Sequence, residues 1–331
     1  MIMLVFGGLE IRILALEVTI KDKAMMIQIN YILEVLLLLA TCVTAYSSVY
    51  FFRYTIVNIL NSLASAWIEL PTSKNNILKT LQYQVSVTFF LLGLALIAEI
   101  AINFSRAGGL WKMFNITMSF IYPQMIQFIV LAFYCVLVQL LVALLKNLNE
   151  ALETFRRKKS CYRNFETRLS MLDLSVMESV YVKAFEIKRG INETFQSTIL
   201  LTSVQCFHAI VSEAHIIYHG VIVARTLNTH ESINFSVWIG YQLIKVYFLA
   251  YTGNILKEST VKIGQTLHNI PIDSHDMRSL LEIQHFTSLM ACQYTDISVY
   301  GYFLLDASFM FKIIASATMY LIILVQFDKY Y

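Results

Sequence analysis

The segment MFNITMSFIYPQMIQFIVLAFYCVLVQLLVALL, which runs from Met113 to Leu145, contains no charged residue. A helix crosses the hydrocarbon core of a bilayer with about 20 consecutive apolar residues, so this run is longer than one crossing needs. The excess length predicts either tilt or a helix that continues beyond the membrane. Pro123, near the start of the segment, is expected to kink it.

The composition of the whole chain also indicates a membrane protein. Of its 331 residues, 57% are hydrophobic and 14% are charged, whereas an average soluble domain carries about 25% charged residues. The net charge of +3 is small and gives no sign of a nucleic-acid partner, which needs a clustered basic face. The five cysteines are scattered, so we expect neither a disulfide framework nor a metal site. The sequence carries no enzyme motif and no cofactor fingerprint, and we expect no cofactor.

Seven segments are predicted to span the membrane. Backbone polar groups in lipid must be satisfied within the segment, so helices are expected at these lengths. We predict an all-α polytopic protein with one transmembrane domain over residues 1–331 and spans at about 1–20, 29–52, 80–103, 117–145, 194–223, 233–256 and 303–327. The first span is the weakest and is expected to be short or truncated, because Glu10, Arg12 and Glu17 interrupt it. It lacks the basic start of a signal peptide.

The orientation of the chain follows from the basic residues between the fourth and fifth spans. Segment 146–193 carries more lysine and arginine than any other loop, and cytoplasmic loops are enriched in these residues. We therefore expect cytoplasmic loops and helix extensions at 146–193 and 257–296, with the N-terminus inside and the C-terminus outside. The run Arg156–Lys159 serves as this topology signal or also contacts anionic membrane lipids. A multi-pass protein of the plasma membrane is expected.

The last predicted span contains a recognisable pattern, GYFLLDASFMFKIIASATMYLIILVQF, from Gly301 to Phe327. A tyrosine, Tyr320, precedes five apolar residues and then Gln326 and Phe327, which resembles the signature of insect gustatory receptors, part of the insect chemoreceptor superfamily. Met319 stands where that signature has threonine. The stretches Thr266-Leu-His-x-Ile-Pro271 and Ile191-Asn-x-x-Phe195 are also similar to those of the family.

This resemblance implies a subunit of a ligand-gated, non-selective cation channel with seven spans. It implies a homo- or hetero-tetramer with other gustatory receptor subunits, opened by a small-molecule tastant. It also implies that the last helix lines the central pore and that the ligand binds between helices in the outer half of the bundle. Members of the family usually run longer than 331 residues, and the difference would fall at the N-terminal tail and first helix.

The predicted pore residues lie on the last helix. The face with Tyr320, Ile323, Leu324 and Phe327 follows i, i+3, i+4, i+7 spacing. Met319, Ile323 and Gln326 form an adjoining strip, in which a glutamine ring would give ions a polar step. Ordinary helix–helix packing explains the same spacing, so both interpretations stay open. The candidate pore and gate residues are Tyr320, Ile323, Leu324, Gln326 and Phe327.

A second group of polar and aromatic side chains is predicted to share one depth in the outer half of the bundle. Ionisable groups within spans are costly and face a cavity or each other, and aromatic rings with convergent polar groups form ligand pockets. The candidate ligand-binding residues are Glu99, Gln124, His208, Glu213, His215, Trp238 and Tyr241.

Other roles are open for some of these residues. The two aromatic residues suit an interfacial belt, and Glu34 suits the headgroup level. Glu99 and Lys245 would pair with each other or with Glu213. His215 and His219, four residues apart on one helix face, have a spacing that zinc accepts, but no third ligand is indicated nearby.

Two other membrane classes compete with a channel. A secondary transporter would be expected to show internal repeats and helices broken by glycine or proline, and these are missing. A G-protein-coupled-type chemosensory receptor has an outside N-terminus and a cytoplasmic tail, which is the reverse of the orientation predicted here.

The predicted orientation is tested with an epitope tag at the C-terminus. Antibody should label intact, unpermeabilised cells, because an odd number of spans from an inside N-terminus leaves the last residue outside. Surface fluorescence before and after permeabilisation is the measurement. Labelling that requires permeabilisation would reverse the orientation and favour the G-protein-coupled class.

Overall fold

The computed structural model describes residues 25–70, 76–106, 114, 117–161, 167–223, 228–271, 277–293 and 296–328. The predicted first span, 1–20, lies outside these ranges. Within them the chain is almost entirely helical, as expected for spans without another way to satisfy their backbone. The α-helices are α1 (Met25–Phe51), α2 (Arg53–Glu69), α3 (Asn76–Arg106), α4 (Tyr122–Cys161), α5 (Thr167–Tyr218), α6 (Thr229–His268), α7 (Met277–Cys292) and α8 (Ala307–Asp328).

Three of these helices are much longer than a bilayer is thick. Helices α4 and α6 have 40 residues each and α5 has 52, which at 1.5 Å per residue gives about 60 and 78 Å. Short π-helical turns, Thr117–Ile121 and His219–Val223, adjoin α4 and α5. By length and composition alone, four described segments could cross a membrane: Ile32–Phe51, Thr117–Arg157, Leu174–Ile222 and Ala307–Gln326. The predicted spans 80–103 and 233–256 also fall in helices, α3 and α6.

Helices α4, α5 and α6 form the centre of the bundle and pack against one another. The uncharged run in α4 is apolar on all sides, so its sequence shows little helical periodicity. The degree of burial of its side chains does show that periodicity. Its most deeply buried leucines recur every three or four residues, which is one stripe of a helix: Leu137, Leu141, Leu144, Leu148 and Leu152. The ring of Tyr134 of α4 packs at a tilt of 57° against that of Phe195 of α5, with ring centroids 5.7 Å apart. The same core therefore continues from the predicted span into the predicted cytoplasmic extension.

Polar contacts join the helices in the predicted cytoplasmic segments. The Thr266 hydroxyl of α6 donates to Asn149 Oδ1 of α4 at 2.8 Å, and His285 of α7 lies 2.9 Å from the Glu178 carboxylate of α5. Lys183 of α5 pairs with Glu69 of α2. These contacts join the helix extensions to one another, so the predicted cytoplasmic segments are packed helices and not only loops.

A short hairpin connects α7 to α8. Strand β1 (Ser298–Val299) pairs antiparallel with β2 (Phe303–Leu304). Three residues, Tyr300, Gly301 and Tyr302, connect the strands. Tyr300 and Gly301 have positive φ, 49° and 74°, and the Tyr302 amide donates to the Val299 carbonyl at 2.9 Å. Asn192 of α5 donates from Nδ2 to the Ser298 carbonyl at 2.9 Å, and the Tyr300 hydroxyl lies 2.6 Å from that of Ser197. The hairpin is therefore fixed to α5.

The residues after the hairpin are held against α6 by a close backbone contact. An ideal Cβ on Gly253 would lie 1.7 Å from the Leu305 carbonyl oxygen, so a side chain is excluded there. The next residue, Asp306, begins α8 as its N-cap. Its Oδ1 accepts from the Phe309 amide at 3.1 Å and from the Ser308 hydroxyl at 2.6 Å. The start of the last helix is thus positioned by both α5 and α6.

Replacing Gly253 with alanine should destabilise the protein by about 1–3 kcal/mol, because the added methyl group must push the Leu305 backbone away. The matched control is Gly240→Ala on the same helix, where an added Cβ meets nothing within 4 Å. That control should be neutral or slightly stabilising, since alanine favours a helix by up to about 1 kcal/mol over glycine. Thermal unfolding of the purified proteins compares the two, and equal unfolding temperatures would contradict the close contact.

Candidate functional site

Helix α8 is attached to the bundle along one stripe and is otherwise uncovered in the single chain. Phe309, Ile313 and Ala317, each four residues apart, are buried against α5 and α6. Phe207 of α5 adds a ring contact to Tyr320, with centroids 6.2 Å apart. By contrast, Met319 is 67% exposed. An apolar helix this exposed requires another apolar partner, either lipid or another chain.

The predicted pore residues divide between these two sides of α8. Tyr320 contacts Phe207, and Leu324 packs against the core of its own subunit. Ile323 and Gln326 lie on the exposed side with Met319. The Phe327 side chain lies outside the described residues. Tyr320 is also exposed, at 49% against 45% for Ile323. The exposed side of α8 therefore includes the adjoining strip, Met319, Ile323 and Gln326, together with Tyr320, whereas Leu324 is partly buried.

A buried ammonium group lies at the centre of the bundle. Lys245 of α6 is 1% exposed and stands halfway between Ile233 and Leu256, the ends of the predicted span. Its Nζ donates to the side-chain oxygens of three glutamines, Gln127 at 2.8 Å, Gln124 at 3.1 Å and Gln205 at 3.3 Å. It also lies 4.7 Å from the centre of the Tyr241 ring, within range of a cation–π interaction. Side chains of α4 and α5 thus surround the one charged group that α6 supplies.

A carboxylate from α1 completes this group. Glu34 is 2% exposed, and its carboxyl group lies close to the Lys245 ammonium and the Trp238 indole. The Glu34 side chain is therefore buried between helices, and its level in the membrane stays a prediction. Burying one charge alone would be costly, and a nearby opposite charge offsets part of that cost. We call these residues the polar cluster: Glu34, Gln124, Gln127, Gln205, Trp238, Tyr241, Gln242 and Lys245.

Neutral polar groups extend the cluster. Gln127 donates from Nε2 to the Thr202 hydroxyl at 3.1 Å. The thiol of Cys206 donates to Gln242 Oε1 at 3.4 Å. The predicted ligand-binding residues did not include Gln127, Gln205 or Gln242. For Gln127 a signal existed, because it lies three residues after Gln124, on the same helix face, in a run without charges.

The predicted ligand residues do not all lie in the polar cluster. Gln124, Trp238 and Tyr241 lie in the cluster. Glu213 and His215 are buried further along α5. Neither nitrogen of the half-buried His208 ring has a hydrogen-bond partner among the described residues. The Glu99 side chain lies outside the described residues.

The zinc interpretation gains no support from the described residues. The rings of His215 and His219 have centroids 6.5 Å apart. Among the described residues, no group of three or more histidine, cysteine, aspartate or glutamate side chains is arranged to hold a metal ion.

The long helical bundle, its buried polar cluster and its exposed last helix are typical of a polytopic helical membrane protein. Residues 3–331 match the family described as 7tm Chemosensory receptor, and the chain belongs to this family. It is a family of insect chemosensory receptors and not of enzymes. The family model thus confirms the resemblance of the last span to insect chemoreceptors.

Solved structures show the same fold. The chain is similar to the insect olfactory receptor OR5 from Machilis hrabei, with a TM-score of 0.72 and 13% sequence identity over 98% of this chain and 88% of that one. The structure of that receptor in complex with eugenol gives a TM-score of 0.73 and 14% identity over the same shares. No curated protein matches the sequence. The expected seven-transmembrane receptor fold is therefore confirmed.

Replacing Lys245 with methionine should cost roughly 2–5 kcal/mol of stability, because three glutamine oxygens lose their donor and Glu34 loses the nearby positive charge. Thermal unfolding in nanodiscs measures the effect. The control is Lys257→Met, which removes the partly exposed pair between Lys257 and Asp296, 3.1 Å apart, and should cost less than about 1 kcal/mol. Similar losses for both variants would show that the buried ammonium has no special structural role.

Proposed function

We propose that this chain is a gustatory receptor subunit that forms a ligand-gated, non-selective cation channel in the plasma membrane. A small tastant binds at the polar cluster, and α8 lines the pore. The N-terminus lies inside the cell and the C-terminus outside. Membership of the chemosensory receptor family and the fold shared with an insect olfactory receptor support this proposal. The complex of that relative with eugenol supports a small-molecule ligand.

The observation that carries the proposal is the exposed strip on α8. Met319, Ile323 and Gln326 face away from the subunit's own bundle. In a closed ring of subunits, one such strip from each chain meets at the symmetry axis. Isoleucine and methionine rings then form a hydrophobic constriction, and a glutamine ring offers ions a polar step. Four copies, identical or mixed with other gustatory receptor subunits, make the channel.

The connections between the cluster and α8 support ligand gating. Helix α5 carries Gln205 in the cluster and holds the hairpin through Asn192. Helix α6 carries Lys245 in the cluster and contacts the Leu305 backbone at Gly253. A ligand that shifts α5 or α6 therefore moves the start of α8. Opening requires that the ligand bind the open arrangement more tightly than the closed one.

Cysteine accessibility tests the pore strip. In a background with Cys161 and Cys292 replaced by serine, Ile323→Cys and Gln326→Cys should become sensitive to a positively charged, water-soluble thiol reagent. Modification adds charge and bulk to the conduction path, so the evoked or spontaneous cation current should fall severalfold. Whole-cell recording before and after the reagent gives the result.

The matched control for this experiment is Val43→Cys on α1, a residue that is 55% exposed within the apolar segment Ile32–Phe51 and that we expect to face lipid. The reagent does not enter lipid, so that current should stay unchanged. Currents that are insensitive at both α8 positions would remove the strip from the pore. Sensitivity at Tyr320→Cys and Leu324→Cys instead would favour the other face of the helix.

A further inference from the structure

One charged side chain interrupts the apolar stretch of α8. Lys312 is the only charged residue between Ala307 and Gln326, a segment long and apolar enough to cross a membrane. The Lys312 side chain is exposed, because α8 packs on α5 and α6 through a different side of the helix. A charge within a spanning helix is unfavourable beside hydrocarbon and almost always faces water or a polar neighbour. Water at Lys312 must therefore come from the surface of the membrane or from the assembly of subunits.

Lys312 belongs to a stripe along α8 that contains the proposed pore strip. At about 100° per residue, Met319 and Ile323 lie within about 20° of Lys312 around the helix axis, and Ser316 and Gln326 lie within about 40°. All five residues are exposed. The strip of Met319, Ile323 and Gln326 therefore continues toward the start of the helix as far as Lys312.

The stripe lies between two different sides of the helix. Ile313, about 100° from Lys312 in one direction, is buried against the subunit's own core. Phe311, about 100° away in the other direction, is apolar and 71% exposed. In a closed ring, an inner helix packs on its own subunit with one side and meets the next subunit with another, and the side between them faces the axis. The stripe has that intermediate position.

A lysine near the end of a spanning helix can instead extend its ammonium to the membrane surface. Lys312 is five residues, or about 8 Å, beyond the start of α8, so its side chain is long enough to do so. The two other polar residues of the stripe are not explained in this way, because the Ser316 side chain is short and Gln326 lies about 21 Å further along the helix. An aqueous path along the symmetry axis accommodates all three.

We propose that the Lys312 ammonium of each subunit faces the water-filled path at the inner end of the pore, and that this ring of positive charge sets the ion selectivity of the channel. This inference rests on the proposed function, because it takes α8 as the pore helix with its start on the cytoplasmic side. Rings of acidic residues favour cations, whereas rings of lysine or arginine favour anions. The Lys312 ring therefore lowers the cation concentration at the inner mouth, so cations leave the cell less readily than they enter it.

Asp306 offsets this charge only in part. Its carboxylate attracts the Lys312 ammonium, but it is already engaged at the N-cap of α8. There it accepts from the Phe309 amide at 3.1 Å and from the Ser308 hydroxyl at 2.6 Å. The carboxylate therefore stays at the start of the helix, while the ammonium extends the stripe.

Charge variants test the role in selectivity. Lys312→Gln should raise the ratio of outward to inward cation current at least about twofold, and Lys312→Glu should raise it further, because the local field becomes less positive and then negative. The reversal potential in a salt gradient should also move toward that of the cation, since chloride is no longer attracted. Lys312→Arg keeps the charge and should retain the wild-type ratio. Whole-cell recording measures this ratio, which does not depend on how many channels a cell expresses.

The matched control is Lys262→Gln. It removes the same charge from an exposed position in the predicted cytoplasmic part of α6, away from α8. Its current ratio and reversal potential should stay at the wild-type values. Equal changes in Lys262→Gln and Lys312→Gln would show a general effect of surface charge and overturn the proposal.

Cross-linking tests the position of Lys312 without relying on current. Chains with Lys312→Cys or Phe311→Cys, in the background with Cys161 and Cys292 replaced by serine, are treated in open membranes with water-soluble bifunctional thiol reagents of increasing length. Equivalent atoms of a closed ring are closest together near the axis. The Lys312→Cys chains should therefore be joined to one another by shorter reagents than the Phe311→Cys chains, as measured by denaturing electrophoresis.

The outcomes separate this inference from the channel proposal. Unchanged current ratios in both Lys312→Gln and Lys312→Glu overturn the role in selectivity, while the channel stands if Ile323→Cys or Gln326→Cys responds to the thiol reagent. Cross-linking by reagents of equal length in both cysteine variants, or in neither, overturns the axial position of Lys312. Cross-linking as expected without any current from the wild-type chain supports the axial position, but it counts against the channel and overturns the role in selectivity with it.

Discussion

The bundle depends on keeping one ammonium group, that of Lys245, stable away from water. A lone buried charge is unfavourable by several kcal/mol, so its surroundings must provide acceptors and an opposite charge. Those groups come from α1, α4 and α5, while the lysine itself comes from α6. Rotating any of these helices by one residue, about 100°, would remove its group from the contact. A single polar centre therefore fixes the mutual register of four helices.

The helices were predictable because lipid leaves an apolar segment few choices. A long uncharged run such as 117–145 can cross a membrane only as a helix, and the structure has helices where the described spans were expected. The hairpin at Ser298–Leu304 was not predicted. Its strands have two residues each, and its register depends on contacts with Asn192 and Ser197, more than 100 residues earlier. Sequence patterns contain no information about such distant partners.

The candidate site was predictable where residues carry charge or large rings. Lys245, Trp238 and Tyr241 stand out in a span for that reason. The glutamines do not, because an amide is neutral and gives the same signal whether it faces a neighbour, water or a ligand. The burial of Glu34 was not predictable, because a place near a helix end suits the membrane surface equally well. Likewise, spacing on α8 could not separate the partly buried Leu324 from the exposed Ile323, since neighbouring faces of one helix have the same periodicity.

Helix α5 runs without interruption for 52 residues, and this continuity has a mechanical consequence. The 39 residues from Thr167 to Gln205 make an arm of about 57 Å. A tilt of about 5° around the level of Gln205 displaces the far end of that arm by roughly 5 Å, about the pitch of one helical turn. The helix therefore acts as a lever, in which an adjustment too small to disturb the packing around the polar cluster becomes a large movement at its other end.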